Sequence, residues 1–286
     1  MNAQFWLIQT FNGISYGALL FLVGAGLSLI FGVMRIVNLA HGAYFLWGGY
    51  IALSVIGATG SWALSLPLAA LAVAAIGLVM EPLFLRPLGF DPLRQVLLTV
   101  GFAYLFQQGA LDIWGGNNLE INPPDVLEHS IVIGGLYLPL YRIFMIATAL
   151  AIGIAIWLVM EKTRMGAAVR ATVDDAEMAR GVGIDTNRIS MLIFALGAFL
   201  AALGGVIGGA FLGVYPGLDF EILPLAFAVV IIGGMGSLGG AAIGAMLVGL
   251  ADNFGKALFP ELAYFTLYAP MVLILAIKPT GLFGRE

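Results

Sequence analysis

The chain has 286 residues, of which 61% are hydrophobic and only 10% are charged, where soluble domains carry about 25% charged residues. The mean hydropathy is +1.04, the formal net charge is −4, and there is no cysteine. These values exclude a basic nucleic-acid face, disulfides and thiol chemistry. Because the two histidines form no metal-spaced cluster with acidic residues, we also expect no metal site and no catalytic residues. The composition predicts an all-α polytopic membrane protein.

Eight apolar stretches predict about eight transmembrane helices in a single membrane domain, residues 1–286, because an apolar layer about 30 Å thick needs about 20 helical residues. Residues 1–10 contain no Lys or Arg ahead of the first stretch. They therefore lack the charged start of a cleaved signal peptide, and we expect the first helix to be retained. The stretches are residues 11–32, 36–56, 63–85, 96–114, 140–160, 189–212, 222–250 and 263–277.

Lys and Arg residues are concentrated in a few connections, and such connections are typical of the cytoplasmic face. Arg86 and Arg94 share one of them, residues 161–188 hold five of the 12 Lys and Arg residues, and Lys278 and Arg285 follow the last stretch. Loops 115–139 and 213–221 contain acidic residues but no Lys or Arg, which predicts that both are external. This pattern favours an external N-terminus and a cytoplasmic C-terminus.

Eight simple crossings from an external N-terminus would leave Lys278 on the outside, so one segment in the last third must cross an even number of times. Residues 222–254 contain the glycine run 233–240, which is costly inside a helix. The arms on either side have about 11 and 14 residues, or about 17 and 21 Å of helix, which is too short to span. We predict a broken or re-entrant pair here, with a glycine-softened packing helix as the alternative.

The glycine run also supplies four predicted residues of a translocation path, because interrupted segments in transporters line cavities. Three of its glycines match a dinucleotide-binding spacing, but no alternation of strands and helices surrounds them, so we reject that interpretation. Small residues at every fourth position here and in two other spans instead favour close helix packing. The four path residues are Gly234, Gly236, Ser237 and Gly239.

Polar residues inside apolar spans are costly in lipid and usually face the bundle interior or water. Asn38 and His41 stand three residues apart near the start of the second stretch, which places them on one helix face. They are either a polar pair that pins two helices together or two further residues of the path. On the external side, two short β-prone arms surround Gly134 and Gly135 and predict a hairpin over residues 130–138. It is either a docking surface or a lid.

The charged segment, residues 161–188, mixes both signs of charge with apolar residues. Asp174 with Glu177 three residues later is typical of a helix N-cap followed by an acid in the first turn, and Gly183 is a plausible helix stop. The segment predicts a short helix lying along the membrane surface.

At these residues the chain resembles the permease subunits of ABC importers, in the branched-chain amino acid group of the LivH type. The similarity extends over essentially the whole chain in order. It departs from the wider importer pattern, since Met178 replaces an alanine and no later Leu-Pro follows. The motifs are Asn38-Leu39-Ala40-His41-Gly42; Gly166, Arg170-Ala171, Asp174, Glu177, Ala179 and Gly183-Ile184 in the charged segment; the glycine run; and residues 278–284.

The resemblance implies a homologous second permease as a heterodimer or homodimer partner, two cytoplasmic ATPases and an extracytoplasmic solute-binding protein, in a bacterial inner membrane. The charged segment would be the ATPase-coupling loop. ATP and Mg would belong to the ATPases, in agreement with the lack of a P-loop sequence in this chain. The coupling residues would be Met165, Gly166, Arg170, Asp174, Glu177, Met178, Ala179 and Gly183.

Branched-chain amino acids are the first substrate that the resemblance implies, and urea, short amides or other amino acids are alternatives. An ion-coupled secondary transporter is a competing hypothesis that needs buried acids, and Glu81 and Asp252 are its main candidates. We interpret Glu81 with Arg86 as an interfacial ion pair, and Asp252 with Asn253 as solvated residues near a span end. A purely structural scaffold is disfavoured by the interrupted helices.

Overall fold

The computed structural model describes residues 3–89 and 91–284, and regular structure in this part of the chain is almost entirely helical. Helix α3 continues through a π-helical turn, Glu81–Leu85, into a 3-10 turn, Arg86–Leu88. The elements are α1 (Ala3–Met34), α2 (His41–Thr59), α3 (Trp62–Met80), α4 (Pro92–Trp114), α5 (Asp125–Glu128), β1 (Ser130–Ile133), β2 (Leu136–Pro139), α6 (Leu140–Lys162), α7 (Arg164–Asp174), α8 (Ala176–Gly181), α9 (Thr186–Leu212), α10 (Leu218–Gly233), α11 (Leu238–Leu258) and α12 (Ala263–Ile277).

Seven helices in the described residues are long and apolar enough to cross a membrane: α1, α2, α3 with its extension to Leu88, α4, α6, α9 and α11. The prediction of an all-α polytopic membrane protein is therefore confirmed. Helix α12 occupies the predicted residues 263–277, but with 15 residues it is shorter than these seven helices. Helix α1 is longer than predicted at both ends.

Small residues hold the centre of the bundle together, as their spacing predicted. Helix α1 packs on α11, where a Cβ added to Gly17 would lie 2.8 Å from the carbonyl oxygen of Ala245. Helix α9 meets α1 where a Cβ on Gly26 would lie 2.6 Å from the carbonyl oxygen of Gly197. Only glycine and other small residues allow the backbones of two helices to approach each other this closely. The result is a tightly packed core around α1 and α9.

The bundle has two ends. At the α7 end, α7 packs against α6, α1 and α9, and the Arg86 Nη2 atom donates to the carbonyl oxygen of Asn187 at 3.1 Å. At the hairpin end, an isolated pair of backbone hydrogen bonds joins Leu119 to Val214, at 2.9 and 2.8 Å. The two loops without Lys or Arg are therefore neighbours. Lys278 follows α12, whereas Arg285 lies outside the described residues.

The second span begins later than predicted. The expectation placed its start at residue 36, but residues 35–40 are not helical, and Arg35 has a φ of 54°. Helix α2 starts at His41, whose Nε2 atom donates to the carbonyl oxygen of Val23 in the middle of α1 at 2.9 Å. Asn38 is therefore not on the α2 helix, and the predicted i, i+3 helical relation to His41 is wrong.

The predicted break in residues 222–254 is confirmed, since α10 ends at Gly233 and α11 begins at Leu238. The two helices run antiparallel, because a Cβ on Gly233 would overlap the carbonyl of Gly240 and one on Gly244 would overlap that of Val229. The expected arm lengths are wrong. Helix α10 has 16 residues and α11 has 21, and α11 is long enough to span by itself.

The predicted hairpin is confirmed, with β1 and β2 antiparallel and Ser130 opposite Pro139. Gly134 and Gly135 form its turn with φ values of 59° and 82°, which side-chain-bearing residues rarely adopt. The second acid-rich loop is shorter than predicted, because α10 already begins at Leu218. Asp219 therefore belongs to a helix rather than to an external loop.

Candidate functional site

The charged segment is fastened to the bundle at its start. The Thr163 hydroxyl accepts a hydrogen bond from the Gly166 N–H at 3.2 Å, which caps α7, and donates to the carbonyl oxygen of Val159 at 2.6 Å. The Arg170 guanidinium donates to the carbonyl oxygen of Met160. A Cβ on Gly166 would overlap the backbone of Met160. Glycine is therefore required there by the close approach of α7 to the end of α6.

Helix α8 is capped by Asp175 and not by Asp174, which corrects the prediction. Asp175 Oδ1 accepts hydrogen bonds from the N–H groups of Glu177 and Met178, both at 2.9 Å. Asp174 is the last residue of α7. The predicted helix stop is confirmed, because α8 ends at Gly181 and Gly183, two residues later, has a φ of 89°.

The outer surface of the charged segment carries large apolar side chains. Met178 is 66% exposed, Val182 72% and Met165 43%, whereas Ala179 is buried against the bundle. A short helix that is anchored on one side and apolar on the other has the form of a docking surface. The eight predicted coupling residues thus lie on one continuous structure, although they do not all face outward.

The predicted path residues do not come together. Asn38 and His41 are fully buried near the middle of the bundle, where Asn38 Oδ1 accepts from the Ala40 N–H at 3.1 Å. The side-chain amide nitrogen of Asn38 and the Nδ1 atom of His41 have no hydrogen-bond partner. The two residues therefore hold the irregular start of α2 in place, and each leaves one buried nitrogen without a hydrogen-bond partner.

The four residues of the glycine run lie instead at the α7 end. Gly236 meets Gly32 near the end of α1, and the Ser237 hydroxyl caps α11 by accepting from the Gly240 N–H at 3.0 Å. The backbone N–H groups of Leu282 and Phe283 donate to the last carbonyls of α10, both at 2.9 Å. This run is therefore a tight turn, and hydrogen bonds from the C-terminal residues hold it in place.

The other two of these four residues, Gly234 and Gly239, differ in their surroundings. Gly234 has a φ of 97° and packs against Gly284, so a side chain there would be both strained and blocked. Gly239 has open space around its Cα and lines an apolar groove of about 320 Å³ between α1, α6 and α11.

Asp219 and Tyr50 are the polar residues that sequence reasoning missed as candidates. Asp219 is 2% exposed and lies in the first turn of α10, beside Gly42 at the start of α2. Neither of its carboxylate oxygens has a hydrogen-bond partner, and the buried hydroxyl of Tyr50 has none either. The start of α10 thus lies beside the start of α2, and both helices carry unpartnered buried polar atoms. The signal in the sequence is an acidic residue next to an apolar run, and this pattern is also typical of a loop.

The remaining charged residues near span ends are paired. Glu81 is buried and binds Arg86 at 2.5 Å, which confirms an ion pair between them. Asp252 binds Lys256 at 2.7 Å, and the Asn253 amide donates to the Gln9 carbonyl and side-chain oxygens at 2.7 and 2.6 Å. The expectation that Asp252 and Asn253 are simply solvated is therefore wrong, since they join α11 internally and to α1.

The seven apolar spans and the break between α10 and α11 define a multi-pass membrane protein. The chain belongs to the family described as branched-chain amino acid transport system / permease component, whose model matches residues 9–275.

Three relatives illustrate the similarity. The chain is 31% identical to the high-affinity branched-chain amino acid transport system permease protein LivH of Escherichia coli, over 100% of this chain and 98% of the relative. It is 30% identical to BraD of Pseudomonas aeruginosa, over 98% and 96%. It is 26% identical to LivM of Salmonella typhimurium, over 91% and 67%. No solved structure matches the chain.

Proposed function

We propose that this chain is one permease subunit of an ATP-driven importer of branched-chain amino acids, and that its charged segment docks on the partner ATPases. The exposed apolar side chains of Met165, Met178 and Val182 carry this proposal. They lie on the charged segment, which is hydrogen-bonded to the end of α6 through Thr163 and Arg170. Such side chains gain stability by burial against a soluble partner.

The proposed mechanism is alternating access. ATP and Mg bind to the ATPases, and closure of the ATPase pair moves α8 together with α7. The contacts of Thr163 and Arg170 with the end of α6 transmit this movement to the bundle. The contact of Arg86 with the carbonyl oxygen of Asn187 adds a second connection, from α3 to the start of α9.

The relatives support the proposed substrate and the proposed second permease. LivH and BraD are named as permeases of high-affinity branched-chain amino acid systems, which supports leucine, isoleucine and valine as substrates. Similarity to LivM supports a homologous second permease. We include two ATPases and an extracytoplasmic binding protein in the proposal. Urea, short amides and other amino acids are alternative substrates of the same kind of importer.

The proposed orientation places the α7 end in the cytoplasm of a bacterial inner membrane, with the N-terminus outside and the C-terminus inside. The concentration of Lys and Arg in the charged segment supports it. Two basic residues lie near the hairpin end. Arg142 binds the side chain of Asn12 at 2.7 Å and Lys256 binds Asp252, so both have partners within the bundle.

Co-purification from native membranes tests the proposal. The intact chain should recover ATPase subunits, and Val182→Asp should reduce their recovery. Val126→Asp is the matched control, because Val126 is 71% exposed but lies in the short helix α5, before the β hairpin at the other end of the bundle. Absence of ATPases with the intact chain, or equal recovery with both variants, contradicts the coupling role.

An ion-coupled transporter is the second candidate, and Asp219 is the observation that favours it. Glu81 and Asp252, its candidates from the sequence, are both ion-paired, whereas the buried Asp219 carboxylate has no partner. If the purified chain alone carries leucine in vesicles without ATP, and Asp219→Asn abolishes that transport, this candidate replaces the importer.

A further inference from the structure

Helix α4 carries a polar stripe on its exposed face. Tyr104, Gln108 and Asp112 recur at every fourth residue and are all exposed, Tyr104 by 59%. The Gln108 amide donates to Asp112 Oδ1 at 2.9 Å, so the two side chains form one polar unit. Helix α4 packs mainly on α2 and on the π-helical turn, on the side away from this stripe.

The first turn of α10 extends this stripe into the membrane. Tyr104 lies ten residues before the end of α4, about 15 Å along the helix and therefore near the middle of an apolar layer about 30 Å thick. The ring of Phe220 is 5.4 Å from that of Tyr104, which places it at the same depth. Glu221 follows it and is exposed, and its Oε2 atom accepts from the Tyr215 hydroxyl at 2.9 Å.

An exposed carboxylate at this depth faces water or another protein and not hydrocarbon, because charged groups are strongly disfavoured in lipid. A tyrosine hydroxyl is protonated at neutral pH, so Tyr215 can continue to donate its hydrogen bond to Glu221. The stretches 95–114 and 213–233 contain no Lys or Arg that would neutralise the two carboxylates.

We propose that this polar wall, formed by Tyr104, Gln108, Asp112, Phe220 and Glu221, lines a water-filled solute path open toward the hairpin end, and that its carboxylates favour solutes with an ammonium group over anions. The inference rests on the proposed function, because the second permease closes the other side of the path. Carboxylates accept from the ammonium group of an amino acid, and the two rings offer cation–π and apolar contacts to it.

Single cysteines test the wall directly, since the chain has no cysteine of its own. The Gln108→Cys variant is compared with Ala147→Cys, an exposed position on α6 that lies at a similar distance from the hairpin end. In the assembled importer, at rest and with the ATPases arrested by vanadate, water-soluble methanethiosulfonates react only with thiols that meet water. We expect Gln108→Cys to react at least about tenfold faster than Ala147→Cys in one of the two states. Equal slow reaction in both states overturns the proposal, since the wall is then covered by protein or lipid.

A second arm measures the charge preference. At Gln108→Cys, the rate with a cationic reagent is divided by the rate with an anionic reagent, and this ratio is normalised to that of a free thiol. The normalised ratio should fall at least about fivefold when Asp112→Asn and Glu221→Gln are added, because one unit charge near 4 Å in water contributes about 1 kcal/mol. An unchanged ratio overturns the charge preference.

Measuring leucine uptake distinguishes a failure of the proposed wall from a failure of the proposed importer function, because labelling requires no transport. Leucine uptake that needs ATP, together with a Gln108→Cys variant that reacts no faster than Ala147→Cys, refutes the wall alone. Fast labelling with ATP-independent uptake refutes the importer and leaves the water-filled wall in place.

Discussion

Replacing Asp175 with alanine should weaken the contact with the ATPases without disturbing the membrane bundle. Asp175 Oδ1 accepts two backbone hydrogen bonds, from Glu177 and Met178, at the start of α8. These N–H groups have no partner within the helix itself. The substitution removes both bonds and leaves the rest of the charged segment unchanged.

The size of the effect follows from the shortness of α8, which has six residues. Loss of an N-cap costs about 1 kcal/mol, and a helix this short has little stability of its own. A change of about 1 kcal/mol alters the ratio of ordered to frayed α8 about fivefold. Because only the ordered form docks, the dissociation constant of the ATPase should rise by up to about the same factor.

The measurement is ATPase binding to the permease in nanodiscs, together with hydrogen exchange at the amides of Glu177 and Met178. Asp175→Asn is the control, since asparagine is an equally good cap. We expect it to bind within about twofold of the original chain, whereas Asp175→Ala binds about fivefold more weakly and exchanges faster. Equal loss in both variants would show that charge and not capping matters, and unchanged exchange in Asp175→Ala would refute the structural argument.

Three further predictions concern the bundle. Gly205→Ala should lower stability by about 1–3 kcal/mol because its Cβ would overlap the carbonyl of Phe45, whereas Gly101→Ala, with open space around it, should not lower the melting temperature in detergent. Glu81→Ala should cost about 1–2 kcal/mol by the same assay, less than for a fully buried pair because Arg86 is partly exposed. Met235→Cys and Val126→Cys should be labelled from opposite sides of the membrane, and labelling from one side would contradict the described ends.

Much of the architecture could be predicted from local signals. The number of apolar stretches fixed the class of protein, and the paired glycines fixed the β hairpin. The glycine run fixed a break near residue 234. Each signal depends on the cost of placing particular residues in lipid or in a given backbone conformation, and that cost does not depend on the fold.

The buried irregular segment before α2 could not be predicted in this way. Residues 36–40 are as apolar as a helix would be, so hydropathy extends the second span through them. Whether such a segment is helical depends on partners that satisfy its backbone. Asn38 provides one such partner for Ala40, and α1 provides the acceptor for His41. These contacts come from a distant part of the chain or from a turn that no pattern marks.

The sequence alone determined that this chain crosses a membrane repeatedly, where it is interrupted, and which segment is charged, because composition and glycine content act locally. Only the tertiary structure decided that Asp175 rather than Asp174 caps α8 and that Asp219 is buried. It also decided that Phe220, at the start of α10, lies beside Tyr104 in the middle of α4. Those outcomes depend on which helices pack together, since burial and the availability of hydrogen-bond partners are properties of the assembled bundle and not of any one segment.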